Sequence, residues 1–120
     1  CFGFRFTIYG EVAIAYSGDT TECNGLYRLL ENPTPVDLAI IDATSLPKSK
    51  LGKQHLDARE AGRIAEACGV KELILTHISY RSREEIYKEA KKEYSGKLSV
   101  ARDGMRWVAT EDGKTFTFSP

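Results

Sequence analysis

Val36-Asp37-Leu38-Ala39-Ile40-Ile41-Asp42-Ala43 is the stretch that decides the fold, because its apolar run is nearly continuous. A run with so little alternation reads as a strand covered on both faces. Beyond it, residues 45–54 carry Pro47, Gly52 and several lysines, the composition of an exposed loop. Asp57 with Glu60 three residues on is a capping box. It predicts a helix whose apolar face is Ala58, Ala61, Ile64, Ala65 and Cys68. Gly69 stands just past that face, where a glycine ends a helix. Glu72 to Ile78 is the next buried strand, through Leu73, Ile74 and Leu75. A strand–helix–strand unit in one sheet is parallel and right-handed.

Outward from that unit the pattern continues on both sides. Phe2, Phe4, Phe6 and Ile8 alternate with Gly3, Arg5, Thr7 and Tyr9, the period of a half-buried strand. Gly10-Glu11 turns the chain, and Val12 to Tyr16 returns as a hairpin partner. After a loop, Leu26 to Glu31 reads as a short helix that Pro33 and Pro35 bring to an end. Downstream, Ser82 and Glu85 form a second capping box, opening a helix to about Tyr94. Its inner stripe is Ile86, Ala90 and Tyr94, Glu84 and Lys88 make an outward i,i+4 pair, and Gly96 is expected to stop it. Leu98–Ala101, Met105–Ala109 and Thr115–Phe118 follow as short strands, with Asp112-Gly113 turning the last hairpin. The class is α/β (α+β), one mixed sheet with helices on its outer face.

Composition narrows the partners. At 120 residues the chain is one domain, with 42% hydrophobic and 28% charged residues. Basic and acidic residues balance at 17 each, so bulk charge points to neither nucleic acid nor a membrane surface. No apolar run approaches the roughly 20 residues that a membrane-spanning helix needs. The cysteines (Cys1, Cys23 and Cys68) show no Cys-x-x-Cys spacing, so neither a disulfide framework nor a thiolate zinc site is expected. A reducing cytoplasm fits that usage.

The ionisable residues gather at element ends. Tyr16-Ser17-Gly18-Asp19-Thr20 closes one strand with a carboxylate, Leu75-Thr76-His77 closes another with an imidazole, Asp42 closes a third, and His55 precedes a helix. In open α/β sheets ligands collect at the carboxyl ends of strands. Asp19 and His77 are the candidate metal ligands, since a carboxylate can bridge two cations and neutral imidazole suits zinc. Gly18-Asp19-Thr20 also reads as a plain turn. His55 beside Asp42 has the make-up of a general acid oriented by a carboxylate; His55 as an exposed loop residue and Asp42 as a strand-end cap are the alternatives. Asp103-Gly104 reads as a turn, and Arg81 and Lys53 as surface charges or phosphate contacts.

Taken together, Ser17-Gly18-Asp19-Thr20, Asp42-Ala43-Thr44, His55-Leu56-Asp57-Ala58-Arg59-Glu60-Ala61, Leu75-Thr76-His77-Ile78-Ser79-Tyr80-Arg81 and Ala101-Arg102-Asp103-Gly104-Met105 resemble, in order, the C-terminal half of a metallo-β-lactamase-fold hydrolase of the RNase Z-like branch. The resemblance runs from about Gly3 to Met105. It implies half of an αββα sandwich. It also implies that Asp19 bridges two zinc ions (manganese or iron being alternatives), that His77 is the last histidine ligand, and that His55 with Asp42 protonates the leaving oxygen. The implied reaction is metal-dependent phosphodiester hydrolysis, with precursor tRNA 3′ ends as the RNase Z substrate.

The chain departs from that family pattern. Its two histidines, His55 and His77, leave no His-x-His-x-Asp-His motif. Residues 1–120 are therefore expected to be the C-terminal part of the domain, inactive until an N-terminal half, in the same or another chain, completes the site. Ile41-Asp42-Ala43-Thr44 stands where RNase Z has His-Glu-Ala-Thr, so the carboxylate is one methylene shorter. The expected partners are that half, an RNA or phosphodiester substrate, and a second copy in a homodimer. Two other readings fit the residues: a small-molecule ester, thioester or phosphodiester hydrolase of the same fold, and a non-catalytic half-fold that docks through a bare sheet face.

Overall fold

The computed structural model describes residues 3–8, 12–18, 23–43, 56–76 and 83–118. Its elements are β1 (Phe4–Ile8), β2 (Val12–Tyr16), α1 (Asn24–Glu31), β3 (Leu38–Asp42), α2 (Ala58–Ala67), β4 (Glu72–Thr76), α3 (Arg83–Lys91), β5 (Lys97–Val100), β6 (Arg106–Ala109) and β7 (Thr115–Phe118). Strands β1 to β5 form one sheet in chain order, and β6 pairs with β7 in a separate two-stranded sheet. The β1–β2 pair is antiparallel, whereas β2–β3, β3–β4 and β4–β5 are parallel. The mixed sheet is as expected, and each parallel step is made through a helix.

Side-chain alternation along the strands divides the interior into two layers. One set (Ala13, Ala15, Ala39, Ile41, Leu73, Leu75, Leu98 and Val100) packs under all three helices. The helices meet it with Leu26 and Leu30, with Ala61, Ile64 and Ala65, and with Ile86 and Ala90. Small residues let the helices settle close to one another: a Cβ added to Gly62 of α2 would lie 2.7 Å from the Ala90 carbonyl oxygen of α3. Helix α2 is bounded as its sequence requires. The Glu60 amide donates to Asp57 Oδ1 at 2.8 Å and the Asp57 amide to Glu60 Oε1 at 3.2 Å, closing the capping box. At the other end Gly69, at φ 71°, donates to Glu66 O while Val70 donates to Ala65 O, the paired closure of a Schellman motif.

The opposite face of the sheet is covered by the β6–β7 ribbon. Val12, Ile14, Leu38 and Ile74 are buried there, with Met105, Trp107 and Ala109 packed against them. Glu72, only 4% exposed at the start of β4, holds the ribbon down. Its carboxylate accepts from Trp107 Nε1 at 3.2 Å and from Thr117 Oγ1 at 2.6 Å. Lys97 Nζ lies 3.7 Å from the same carboxylate. The face anticipated as bare is thus covered in part. Among the described residues Phe4 (69% exposed), Phe6 (51%) and Tyr16 (42%) share that face on the β1 side and are exposed.

Two local expectations change. Helix α3 ends at Lys91, five residues before Gly96, and Glu93 and Tyr94 donate to Ala90 O in the turn that follows. Tyr94 keeps its inward place without being helical: its hydroxyl donates to Val70 O at 2.7 Å. Cys23 is disulfide-bonded, which the odd cysteine count did not announce, and Cys68 is a free buried thiol. The Ser82 capping residue lies outside the described residues, but the Glu84–Lys88 pair is present at 3.6 Å. Among the described residues no helix is long and apolar enough to cross a membrane.

Candidate functional site

The carboxyl ends of β2, β3 and β4 lie side by side, and hydrogen bonds carry the sheet a little past each strand. The Ser17 amide donates to Ile40 O at 3.0 Å, continuing the β2–β3 pairing beyond Tyr16. The Ser17 hydroxyl accepts from the Asp42 amide at 3.1 Å and donates to Gly18 O at 2.9 Å. On the other side Asp42 is in register with Thr76, and the Ala43 amide donates to Thr76 O at 3.1 Å. Neighbouring strands lie about 4.8 Å apart, so these three ends span roughly 10 Å.

Asp42 stands in the middle of this rim, 1% exposed, on the face it shares by alternation with Leu38 and Ile40. It is the one candidate site residue that falls among the described residues. Asp19, His55 and His77 lie outside them, as do Arg81 and Lys53. The described chain stops one residue short of Asp19 at Gly18, one short of His77 at Thr76, and resumes one after His55 at Leu56. Gly18 has φ 64°, a left-handed conformation that glycine adopts without steric cost. Leu56 and Asp57 are buried, fixing the entry to α2. Asp103 and Gly104 form the expected turn, with Gly104 at φ 82° and the Met105 amide donating to Arg102 O.

Among the described residues no three histidine, cysteine, aspartate or glutamate side chains come together as a metal site. Asp19 and His77 would supply one carboxylate and one imidazole, both chemically suited to zinc, against the four donors of a closed zinc site. The donor set therefore fits one side of a metal centre. Two structurally important residues escaped the sequence reading, Ser17 at this rim and Glu72 at the far end of β4, where it anchors the ribbon. Ser17 stood in a quoted motif but was given no role, and Glu72 looked like a polar strand start. An internal hydroxyl at a strand end was the available signal for Ser17; nothing local announces the partners of Glu72, which are distant in sequence.

Comparison with known proteins adds the family. Residues 1–78 match the beta-lactamase superfamily domain. Over 98 residues the chain is 42% identical to the uncharacterized protein Rv1339 of Mycobacterium tuberculosis, covering 79% of this chain and 34% of that protein. It is 36% identical over 113 residues to a ribonuclease Z of Methanothermobacter thermautotrophicus, covering 91% of this chain and 34% of the relative. The chain thus spans about a third of the length of these curated relatives. Among solved structures, the metallo-beta-lactamase fold protein YhfI from Bacillus subtilis superimposes with a TM-score of 0.75 at 27% identity, over 98% of this chain and 44% of that one. With its strand order, its helices on one face and its rim of strand ends, the chain belongs to the beta-lactamase superfamily, as a metallo-β-lactamase-fold, RNase Z-like protein.

Proposed function

We propose that this chain contributes one side of the active site of a metal-dependent phosphodiesterase of RNase Z type, acting on the 3′ ends of precursor tRNA. The observation that carries the reading is the alignment of three strand ends, at Gly18, Asp42 and Thr76, each abutting or containing a candidate residue. Similarity to proteins named ribonuclease Z supports an RNA substrate, and precursor tRNA is what the RNase Z resemblance implies. A dinuclear zinc centre, when bound, lowers the pKa of a shared water and stabilises the attacking and leaving oxygens of a phosphoester. Manganese and iron are the alternative metals.

In this reading Asp19, through its carboxylate, and His77, through its imidazole, would hold the metal centre. His55 donates a proton to the leaving oxygen. Asp42 orients His55 and favours its protonated form, which is how a carboxylate prepares an imidazole as general acid. The remaining ligands and the water-activating carboxylate come from an N-terminal half, in the same or another chain, with a homodimer as the expected assembly. The test uses protein carrying both halves, zinc analysis, and hydrolysis of bis(p-nitrophenyl) phosphate and of a 3′-extended tRNA. His77→Ala should abolish turnover and reduce zinc content; unchanged turnover refutes the ligand assignment. Cleavage of the small ester without the tRNA would favour the small-molecule hydrolase.

The exposed Phe4, Phe6 and Tyr16 favour a second reading, a half-fold that docks a partner without catalysis. An apolar strip on an otherwise packed face marks an interaction surface. Gel filtration separates the two cases: a constitutive complex that lacks zinc and phosphodiesterase activity supports docking alone.

A further inference from the structure

We infer that the outer edge of β1 is a homodimer seam, at which a second copy of this chain adds its own β1 antiparallel across a two-fold axis. Strand β1 ends the five-stranded sheet, so among the described residues its backbone is paired on the β2 side only. Edge strands are usually blunted by lysine, proline or a bulge, which stop another strand from adding. Phe4-Arg5-Phe6-Thr7-Ile8 holds no lysine or proline, and its register with β2 runs through all five residues without a bulge. Its single charge is turned aside. Arg5, paired with Ala15 on the helix face, donates from Nη1 to Leu29 O at 3.1 Å and from Nη2 to Thr34 O at 2.7 Å. The opposite edge of the sheet is defended. Strand β5 opens with an exposed Lys97, and two α3 side chains take carbonyls at its ends: Lys91 Nζ donates to Gly96 O at 3.1 Å, and Arg83 Nη2 donates to Val100 O.

The residues of β1 select both the occupant and the register. An isologous antiparallel pairing centred on Phe6 sets Phe6 against its own counterpart and Phe4 against Ile8 of the second copy. These three residues lie on the face away from the helices, where Phe4 and Phe6 are exposed. The pairs are then aromatic with aromatic and aromatic with β-branched, combinations that stabilise neighbouring strands. On the helix face the same register sets Arg5 against Thr7. Centred on Arg5 instead, the pairing would put two guanidinium groups directly opposite each other, which is repulsive. Charge therefore favours the Phe6-centred register. Tyr16, beside Phe4 in the β1–β2 pairing, widens the apolar strip on either side of the seam. Nothing in this contact uses a metal or a catalytic residue, so it stands or falls apart from the function proposed above.

Sedimentation equilibrium of the 120-residue chain should show a monomer–dimer equilibrium. Phe6→Lys places two ammonium groups at the two-fold axis and should weaken association about tenfold or more, with Trp107 emission unchanged as the check on folding. Should Phe6→Lys unfold the chain, cross-linking decides. Directly opposed residues on paired strands have Cβ atoms about 4.5–5.5 Å apart, so mild oxidation should join Phe6→Cys into a covalent dimer. Phe4→Cys, whose cysteine faces Ile8, should cross-link far more slowly, and wild type with its native cysteines is the blank. A chain that stays monomeric overturns the seam. So does a dimer that Phe6→Lys leaves intact, or one that Phe4→Cys and Phe6→Cys cross-link alike. In protein carrying both halves, exchange-protected β1 edge amides in a monomer would assign the edge to a strand of the N-terminal half and overturn the second copy as its occupant.

Discussion

Removing the Glu72 carboxylate should release the β6–β7 ribbon from the sheet, and the structure sets the size of the effect. Two donors of the ribbon, Trp107 Nε1 and Thr117 Oγ1, converge on this carboxylate. Hydrogen bonds to a charged acceptor contribute about 1.5–3 kcal/mol each. Both donors are only partly buried, so in Glu72→Ala water recovers some of each bond, and the lower figure applies. Lys97 adds little, because a pair at 3.7 Å with a half-exposed lysine contributes about 0–1 kcal/mol. The sum is about 3 kcal/mol, or roughly a hundredfold in the docking equilibrium. Trp107 is the chain's single tryptophan, so its fluorescence reports the ribbon alone. Glu72→Ala should shift its emission to the red and raise acrylamide quenching, with helical circular dichroism little changed. Glu72→Gln, which keeps one acceptor oxygen, should fall between. Wild-type emission and quenching in Glu72→Ala would refute the view that this carboxylate, rather than the apolar contacts of Met105 and Trp107, holds the ribbon.

Other perturbations follow from the same packing. Gly62→Ala should destabilise the chain by up to about 2 kcal/mol net in urea melts, since crowding against the Ala90 carbonyl costs about 1–3 kcal/mol and alanine's helix preference returns roughly 1 kcal/mol. Asp57→Ala should cost about 1 kcal/mol through loss of the α2 cap, with Asp57→Ser recovering most of it in the same assay. Burial, followed by the charges of Glu66 and Glu72, pushes the Tyr94 phenol up to about 12. A raised folded-state value means that the contribution is fully present below about pH 10, the unfolded value, and is lost as pH rises towards 12. Over that window stability should fall by about 3 kcal/mol, and Tyr94→Phe should flatten that part of the pH–stability curve.

The helix and strand pattern was legible because local chemistry and the final packing agree. Asp57, Glu60 and Gly69 bound α2 as their residue types require, and the apolar run at Leu38 to Ile41 lies between two packed layers. Where local signals were overruled, distant contacts did it. Gly96 looked like a helix stop, yet α3 ends at Lys91 and the chain runs through Tyr94, whose hydroxyl is held by Val70 O. The ribbon over the second face could not be read from its own short strands, since its anchor is a carboxylate on β4. For the candidate site, the strand ends at Tyr16 and Asp42 could be located from the apolar runs, whereas the third strand was expected to reach Ile78 and its described part ends at Thr76. The Ser17 hydroxyl bridge was not legible, because serine before Gly-Asp is also what an ordinary turn contains.

Strand order in the large sheet is the order of the chain, β1 to β5. Every pairing therefore joins a strand to its predecessor, so no strand has to wait for one made later. Emerging from a ribosome, such a chain can extend its sheet one strand at a time, each crossover helix laid down before the next pairing is needed. Glu72 breaks this order of events. Its ribbon partners come 35 and 45 residues later. Until they arrive, its carboxylate and the Ile14–Leu38–Ile74 surface beside it face solvent, and that interval is when the nascent chain is most exposed to association with other molecules.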